Sequence, residues 1–138
     1  MTIRAVGIDL VGVAGFGEQL GSVGSAFAEA TFTAGELRAA SGSSGAAQHL
    51  AGRFAAKEAF VKAFSGARPG YAPVIPEMDW REVEVVTDGW GRPLLRLHGD
   101  LAAAVAGALG PVELHVSLTH EPTMAAAVVV IEQKELSA

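Results

Sequence analysis

Three groups of residues resist assignment to structure alone. Asp9 stands in the middle of the apolar run Val6 to Val11, read Val-Gly-Ile-Asp-Leu-Val. A lone ionised carboxylate buried there is costly unless it is paired or bound to a metal. Asp9 therefore either turns to a solvated face or acts as a ligand. The second group lies in a long helical pattern. At about 100° per residue, Leu50, Phe54, Phe60, Val61 and Phe64 share an arc of roughly 120°. Arg53 and Lys57 fall inside that arc, with Glu58 and Lys62 one turn apart on its rim. The bases could snorkel along apolar surface with their heads in water. Glu58 and Lys62 could be an ordinary i,i+4 pair. The third is His120, in Ser-Leu-Thr-His-Glu between two strand patterns, where a turn histidine is also a common structural outcome.

Two separated carboxylates with bases nearby suit a divalent cation that reads a pyrophosphate, since Mg²⁺ binds through one or two carboxylates plus substrate phosphates. The sequence has no Walker A motif and no Rossmann glycine fingerprint, so such chemistry would not sit on a P-loop. His49, His98 and His115 show no metal-ligand spacing among themselves. There is no cysteine, which excludes disulfides, thiolate metal sites and cysteine nucleophiles.

These residues need elements to hold them. Ile3 to Val13 reads as a buried strand, and a weak helix from about Ala14 to Ala28 follows, interrupted by Gly21 and Gly24. Thr33 and Glu36 make a capping box for a short helix through Ala40. Ser41 to Gly45 is a loop. The strongest helix runs from Ala46 to Phe64 and stops at Gly66. Ala67 to Met78, with Pro69, Pro73 and Pro76, is irregular. Arg81 to Thr87 and Pro93 to His98 form a hairpin around Asp88 to Arg92. Asp100 to Leu109 is an alanine-rich helix stopped by Gly110-Pro111, and Val112 to Leu118 pairs with Met124 to Glu132. The expected fold class is α+β, with a largely antiparallel sheet on a long helix.

The length of 138 residues fits one domain, 1–138. Half the residues are apolar and 18% are charged, enough for a packed core that is light and alanine-rich. The net charge of −5 argues against nucleic acid as a partner. Yet Arg53 to Arg68 holds four bases against one acid, a local cluster suited to a small anion. Arg4 precedes an apolar stretch, but Asp9 interrupts it and no clean cleavage signature follows. No segment offers ~20 uninterrupted apolar residues for a membrane span. The expectation is a soluble, cytoplasmic protein.

The motifs together resemble the holo-acyl-carrier-protein synthases, the small trimeric group of 4′-phosphopantetheinyl transferases. The matching pieces are Val6 to Val11, Thr31 to Glu36 (Thr-Phe-Thr-Ala-Gly-Glu) and Arg53 to Ala63 (Arg-Phe-Ala-Ala-Lys-Glu-Ala-Phe-Val-Lys-Ala). Gly91 to Pro93 and Val116 to Glu121 match as well. The resemblance covers nearly the whole chain. It implies a homotrimer with each active site between neighbouring subunits. It also implies transfer of phosphopantetheine from coenzyme A to a serine of an apo acyl carrier protein, or of a carrier domain in a larger synthase, releasing adenosine 3′,5′-bisphosphate in the service of fatty acid biosynthesis. Carried over, Asp9 and Glu58 match the Mg²⁺ ligands, and Lys62 matches the lysine beside the coenzyme A phosphates. Arg53, Arg92, Pro93, Thr119 and His120 match the nucleotide and 3′-phosphate pocket. Glu58, acting through a metal-bound water, is the preferred base for the serine.

Two departures stand out. Gly12 replaces an acidic residue that many relatives carry shortly after the strand aspartate. The region of the first helix lacks the bases with which many relatives bind the acidic helix of the carrier, leaving Arg38, Arg68 or Arg81 as alternatives. The competing readings are a degenerate member that binds coenzyme A or carrier without catalysis, a purely structural trimer, and a Mg²⁺-dependent phosphohydrolase.

Overall fold

The structure is a computed structural model and describes residues 2–21, 26–42, 45–73 and 77–135. Its axis is helix α4 (Ala46–Gly66). Residues 50–53 and 55–57 are buried without a break, so neighbours surround this helix where the sequence suggested a single apolar face. Alanines at 51, 55, 56, 59 and 63 are fully buried, and their small side chains let the surrounding elements close on the helix. Lys57 does not snorkel: it is fully buried.

Against α4 lies a three-stranded antiparallel sheet in the order β1 (Thr2–Gly12), β5 (Met124–Gln133), β4 (Val112–His120). The expected second hairpin, β2 (Val83–Thr87) with β3 (Pro93–Leu97), forms a separate two-stranded sheet. Its turn is held by Asp88, whose Oδ1 accepts from the backbone N–H of both Trp90 and Arg92. Gly91 supplies the positive φ of +80° that the turn requires. Helix α5 (Gly99–Leu109) packs Leu101, Val105 and Leu109 with Phe60, Val83, Val129 and Ile131 into the main core.

Between β1 and α4 the expected helix over 14–28 is two helices, α1 (Val13–Gly21) and α2 (Phe27–Thr31). Ala26, just before α2, is outside either helix; residues 22–25 lie outside the described residues. Their aromatic side chains pack with α4: Phe16 contacts Phe27, Phe32 and Phe54, and Phe54 contacts Trp80. Helix α3 (Ala34–Ser41) begins with the expected capping box. Thr33 Oγ1 accepts from Glu36 N–H at 3.1 Å, and Glu36 Oε1 accepts from Thr33 N–H at 2.9 Å. Of the expected 41–45 loop, residues 43 and 44 lie outside the described residues, as do 74–76 of the irregular segment. The strand expected from Arg81 starts at Val83. Trp80–Glu82 is a 3₁₀ turn, because the Asp79 side chain caps the Arg81 N–H at 3.0 Å.

Strand β1 is inverted relative to an ordinary edge. Gly7 and Asp9 face α4 and are buried, while Val6, Ile8 and Leu10 are 59–67% exposed. Alternation along the strand produces this arrangement. It resolves the placement of Asp9, whose apolar neighbours are the residues that face outward.

Candidate active site

Gly7 sets the approach of β1 to α4. A Cβ built there would lie 1.9 Å from the backbone oxygen of Ala59 and 2.7 Å from the nitrogen of Ala63. Only a residue without a side chain allows this contact, and it brings Asp9, two residues along, onto the turn of α4 carrying Glu58 and Lys62. Asp9, Glu58, Val61 and Lys62 line one hollow, closed on another side by Trp80. Asp9 is 7% exposed. Lys62 Nζ donates to Asp9 Oδ1 at 2.9 Å and to the Ile8 carbonyl at 3.2 Å.

The second oxygen of Asp9, Oδ2, is buried and receives no hydrogen bond. Glu58 lies beside it. Burial, then hydrogen bonding to Asp9 and the nearness of its charge, push the Glu58 carboxyl up to about 7, against the opposing pull of Lys62. Two carboxylates side by side with one oxygen unsatisfied call for a positive partner, met either by a proton on Glu58 or by a cation. A hard divalent ion suits this all-oxygen donor set. Asp9 and Glu58 therefore fit a Mg²⁺ site, and Lys62 adds a mobile ammonium at its rim. Gly12, at the end of β1, is exposed and offers no further ligand.

Arg53, Thr119 and His120 gather elsewhere. Thr119 and His120 line a second hollow with Glu121, Met124, Ala125 and Ala126. The Gln48 amide donates to His120 Nδ1 at 2.7 Å, and Gly52 of α4 is close to Leu118 and His120. Arg53 is 7% exposed, and its Nε has no hydrogen-bond partner. Burial, followed by the charges of Arg53 and His120, keeps the neighbouring His49 imidazole below its ordinary value. Arg92 and Pro93 stand at the β2–β3 turn, where the exposed Arg92 guanidinium pairs with Asp88 Oδ2 at 2.5 Å and lies over the Trp90 ring. The structure thus brings Asp9, Glu58 and Lys62 together, but places the residues expected to bind the nucleotide around other surfaces of the same chain.

Sequence reasoning did not find Trp80, Gly7 or His49 as parts of these surroundings. For Trp80 the available signal was the Asp79-x-x-Glu82 spacing, which marks a capped turn. A further group, Glu113, His115 and Glu132, has ligand atoms within 4.8 Å of one another, and His115 Nε2 is 3.0 Å from Glu132 Oε1. Glu132 pairs in register with Ile3, whereas Asp9 pairs with Ala127. Six residues along β1, on the order of 20 Å, separate that group from the hollow.

A carboxylate on the inner face of an antiparallel sheet, set against a Glu-x-x-x-Lys turn of a central helix, defines a small α+β protein with an acidic, lysine-rimmed hollow. The chain belongs to the 4′-phosphopantetheinyl transferase superfamily, whose model matches residues 5–115. It is 56% identical to a holo-[acyl-carrier-protein] synthase of Mycobacterium ulcerans (strain Agy99) over 133 residues, covering 96% of this chain and 98% of that protein. Its structure is similar to an ACPS–coenzyme A complex of Chronobacterium ammoniagenes, with a TM-score of 0.90 and 42% identity over 98% of this chain and all of that one. It is also similar to the acyl carrier protein synthase of Mycobacterium tuberculosis, with a TM-score of 0.78 and 48% identity over 96% and 100% of the two chains. Among the described residues, no helix is long and apolar enough to cross a membrane.

Proposed function

We propose that the protein is a holo-[acyl-carrier-protein] synthase that moves phosphopantetheine from coenzyme A to a serine of an apo acyl carrier protein. The observation that carries this reading is the buried Asp9 carboxylate, its Oδ1 held by Lys62 and its Oδ2 without a hydrogen bond, in one hollow with Glu58. Relatives named for the same activity, one of them bound to coenzyme A, support it. A degenerate binder would have no use for these three residues kept in working contact.

In the transfer, the serine Oγ bonds to the β-phosphorus as the bond from that phosphorus to the bridging oxygen breaks. Adenosine 3′,5′-bisphosphate leaves with the electron pair. Asp9 and Glu58 would hold Mg²⁺, which when bound neutralises charge on the pyrophosphate. Lys62 sits on a side chain that is 59% exposed, free to turn its ammonium from Asp9 to a phosphate oxygen. Glu58, reaching the serine through a water, is the base assigned to its proton. Arg53, Thr119 and His120 would take the nucleotide end, and Arg92 with Pro93 would flank it.

We read the whole chain, 1–138, as one transferase domain that works as a homotrimer in the cytoplasm. The exposed Ile3, Val6, Ile8 and Leu10 support assembly, since so contiguous an apolar face marks an interaction surface. The separation of the two hollows supports it too: a coenzyme A whose pyrophosphate lies at Glu58 of one copy would reach Arg53 and His120 of the next. The carrier docks without a basic first helix. Arg81 is held bidentately by Asp79 and Arg68 lies over Tyr71, which leaves Arg38 of α3 as the more available base.

The test is intact mass of an apo carrier incubated with the protein, coenzyme A and Mg²⁺, with and without EDTA. A Mg²⁺-dependent gain of ~340 Da is expected, as covalent transfer requires, and Glu58→Gln should abolish it while remaining folded at the assay temperature. Full activity in that variant would overturn the assignment of Glu58.

A further inference from the structure

Lys57 precedes Glu58 in the motif, yet no substrate can touch it. Its side chain is wholly buried, as is that of its partner Glu36, 2.8 Å away. The ammonium makes three hydrogen bonds: to Glu36 Oε1 of α3, to the Trp80 carbonyl at 2.9 Å, and to the Val83 carbonyl at 2.7 Å. Glu36 is itself fully engaged, since Oε1 also caps Thr33 and Oε2 accepts from the Val85 N–H at 2.9 Å. A buried ion pair of this kind is weak evidence of stabilisation, because well-packed apolar residues of similar volume often do as well or better. The geometry offers another reason for the charge. One of the two carbonyls held by Lys57 belongs to Trp80, whose side chain closes the hollow of Asp9, Glu58 and Lys62 and packs on Phe54 of the same helix. The 3₁₀ turn carrying Trp80 is three residues long and is capped from one side by Asp79; the Lys57 bonds to the Trp80 and Val83 carbonyls tie it to α4.

We propose that Lys57 is a positioning residue for the transfer reaction: by binding the carbonyls of Trp80 and Val83 it fixes the aromatic wall of the active-site hollow one helical step from Glu58. The inference rests on reading that hollow as the reaction centre. An apolar side chain at 57 could fill the volume but could not bind two carbonyls, so the wall would drift and the reacting groups with it. Displacements of ~1 Å are enough to cost on the order of 100-fold in rate.

The experiment compares Lys57→Met, the charge-free pair Lys57→Met with Glu36→Gln, and Trp80→Leu, which keeps the backbone carbonyl. Each is assayed for transfer well below its own melting temperature. All three should lose kcat by on the order of 10–100-fold, while KM for coenzyme A moves by less than about threefold, the mark of a lost transition-state arrangement. In a Trp90→Phe background, where Trp80 is the sole indole, the Lys57 variants should show red-shifted emission and easier acrylamide quenching. A folded charge-free pair with parental kcat overturns the proposal. So does Trp80→Leu at the parental rate, and that measurement holds even if the Lys57 variants fail to fold. Asp9→Asn separates the two levels: if it keeps full activity the hollow is not the reaction centre, whereas if it is inactive and Trp80→Leu is not, the role of Lys57 alone falls.

Discussion

Replacing Gly7 with alanine tests whether strand-to-helix approach sets the active site. The added Cβ would stand 1.9 Å from the Ala59 oxygen and 2.7 Å from the Ala63 nitrogen, both backbone atoms of α4. Ordinary contact begins near 3.4 Å, so β1 and α4 must part by about 1.5 Å at this point, a helix backbone being unable to yield. Overpacking of this kind costs ~1–3 kcal/mol, occasionally more, and two rigid contacts put Gly7→Ala at the upper end. For a chain of this size that lowers Tm by on the order of 10 °C. Asp9 rides on the same strand two residues away, so the separation carries it off Glu58 and Lys62. A misplacement of ~1 Å costs ~100-fold in rate, and transfer should fall by at least that much. Thermal melts and intact-mass transfer kinetics, taken well below the variant's own Tm, check the two parts. A Gly7→Ala protein that melts and turns over like the parent would refute the claim that this approach builds the site.

Two further outcomes follow from the same geometry. Because the folded state raises the Glu58 carboxyl from 4.5 to about 7, it binds that proton more tightly than the unfolded chain; stability in EDTA should therefore fall as pH rises through that interval. Glu58→Gln should flatten this part of a Tm–pH series, and Mg²⁺ should restore stability most above pH 7, where it replaces the lost proton; a series identical in the two proteins would contradict the shared-charge picture. Ile8→Glu, on the outward face of β1, should reduce the particle mass seen by light scattering, and an unchanged mass would place the assembly surface elsewhere.

Much of this architecture was legible in the sequence, and the exceptions have physical causes. The long helix, the Thr33–Glu36 capping box and the Asp88 turn depend on neighbours a few residues apart, and each formed as read. Asp9, Glu58 and Lys62 were legible as a set because their chemistry is conspicuous against apolar surroundings. The inward direction of Asp9 was not, since a strand that buries its polar side and exposes its apolar side reverses the usual inference from hydropathy. Lys57 seemed free to reach water because its partner Glu36 lies 21 positions away on an element whose docking no local pattern announces. The split of the sheets was hidden for the same reason: strand order is decided by contacts distant along the chain.

The inverted strand also has a consequence for how this protein can change over time. One face of β1 carries the acid to which we assign the chemistry, and the other carries the apolar side chains proposed to meet a neighbouring copy, so both proposed tasks are written in alternate letters of one short word. Inserting or deleting a single residue before Asp9 would exchange the two sets, sending the carboxylate outward and the branched side chains into α4. Substitutions can tune either task alone, but a change of length cannot. Drift in this segment should therefore proceed by replacement, with variation in length confined to the loops.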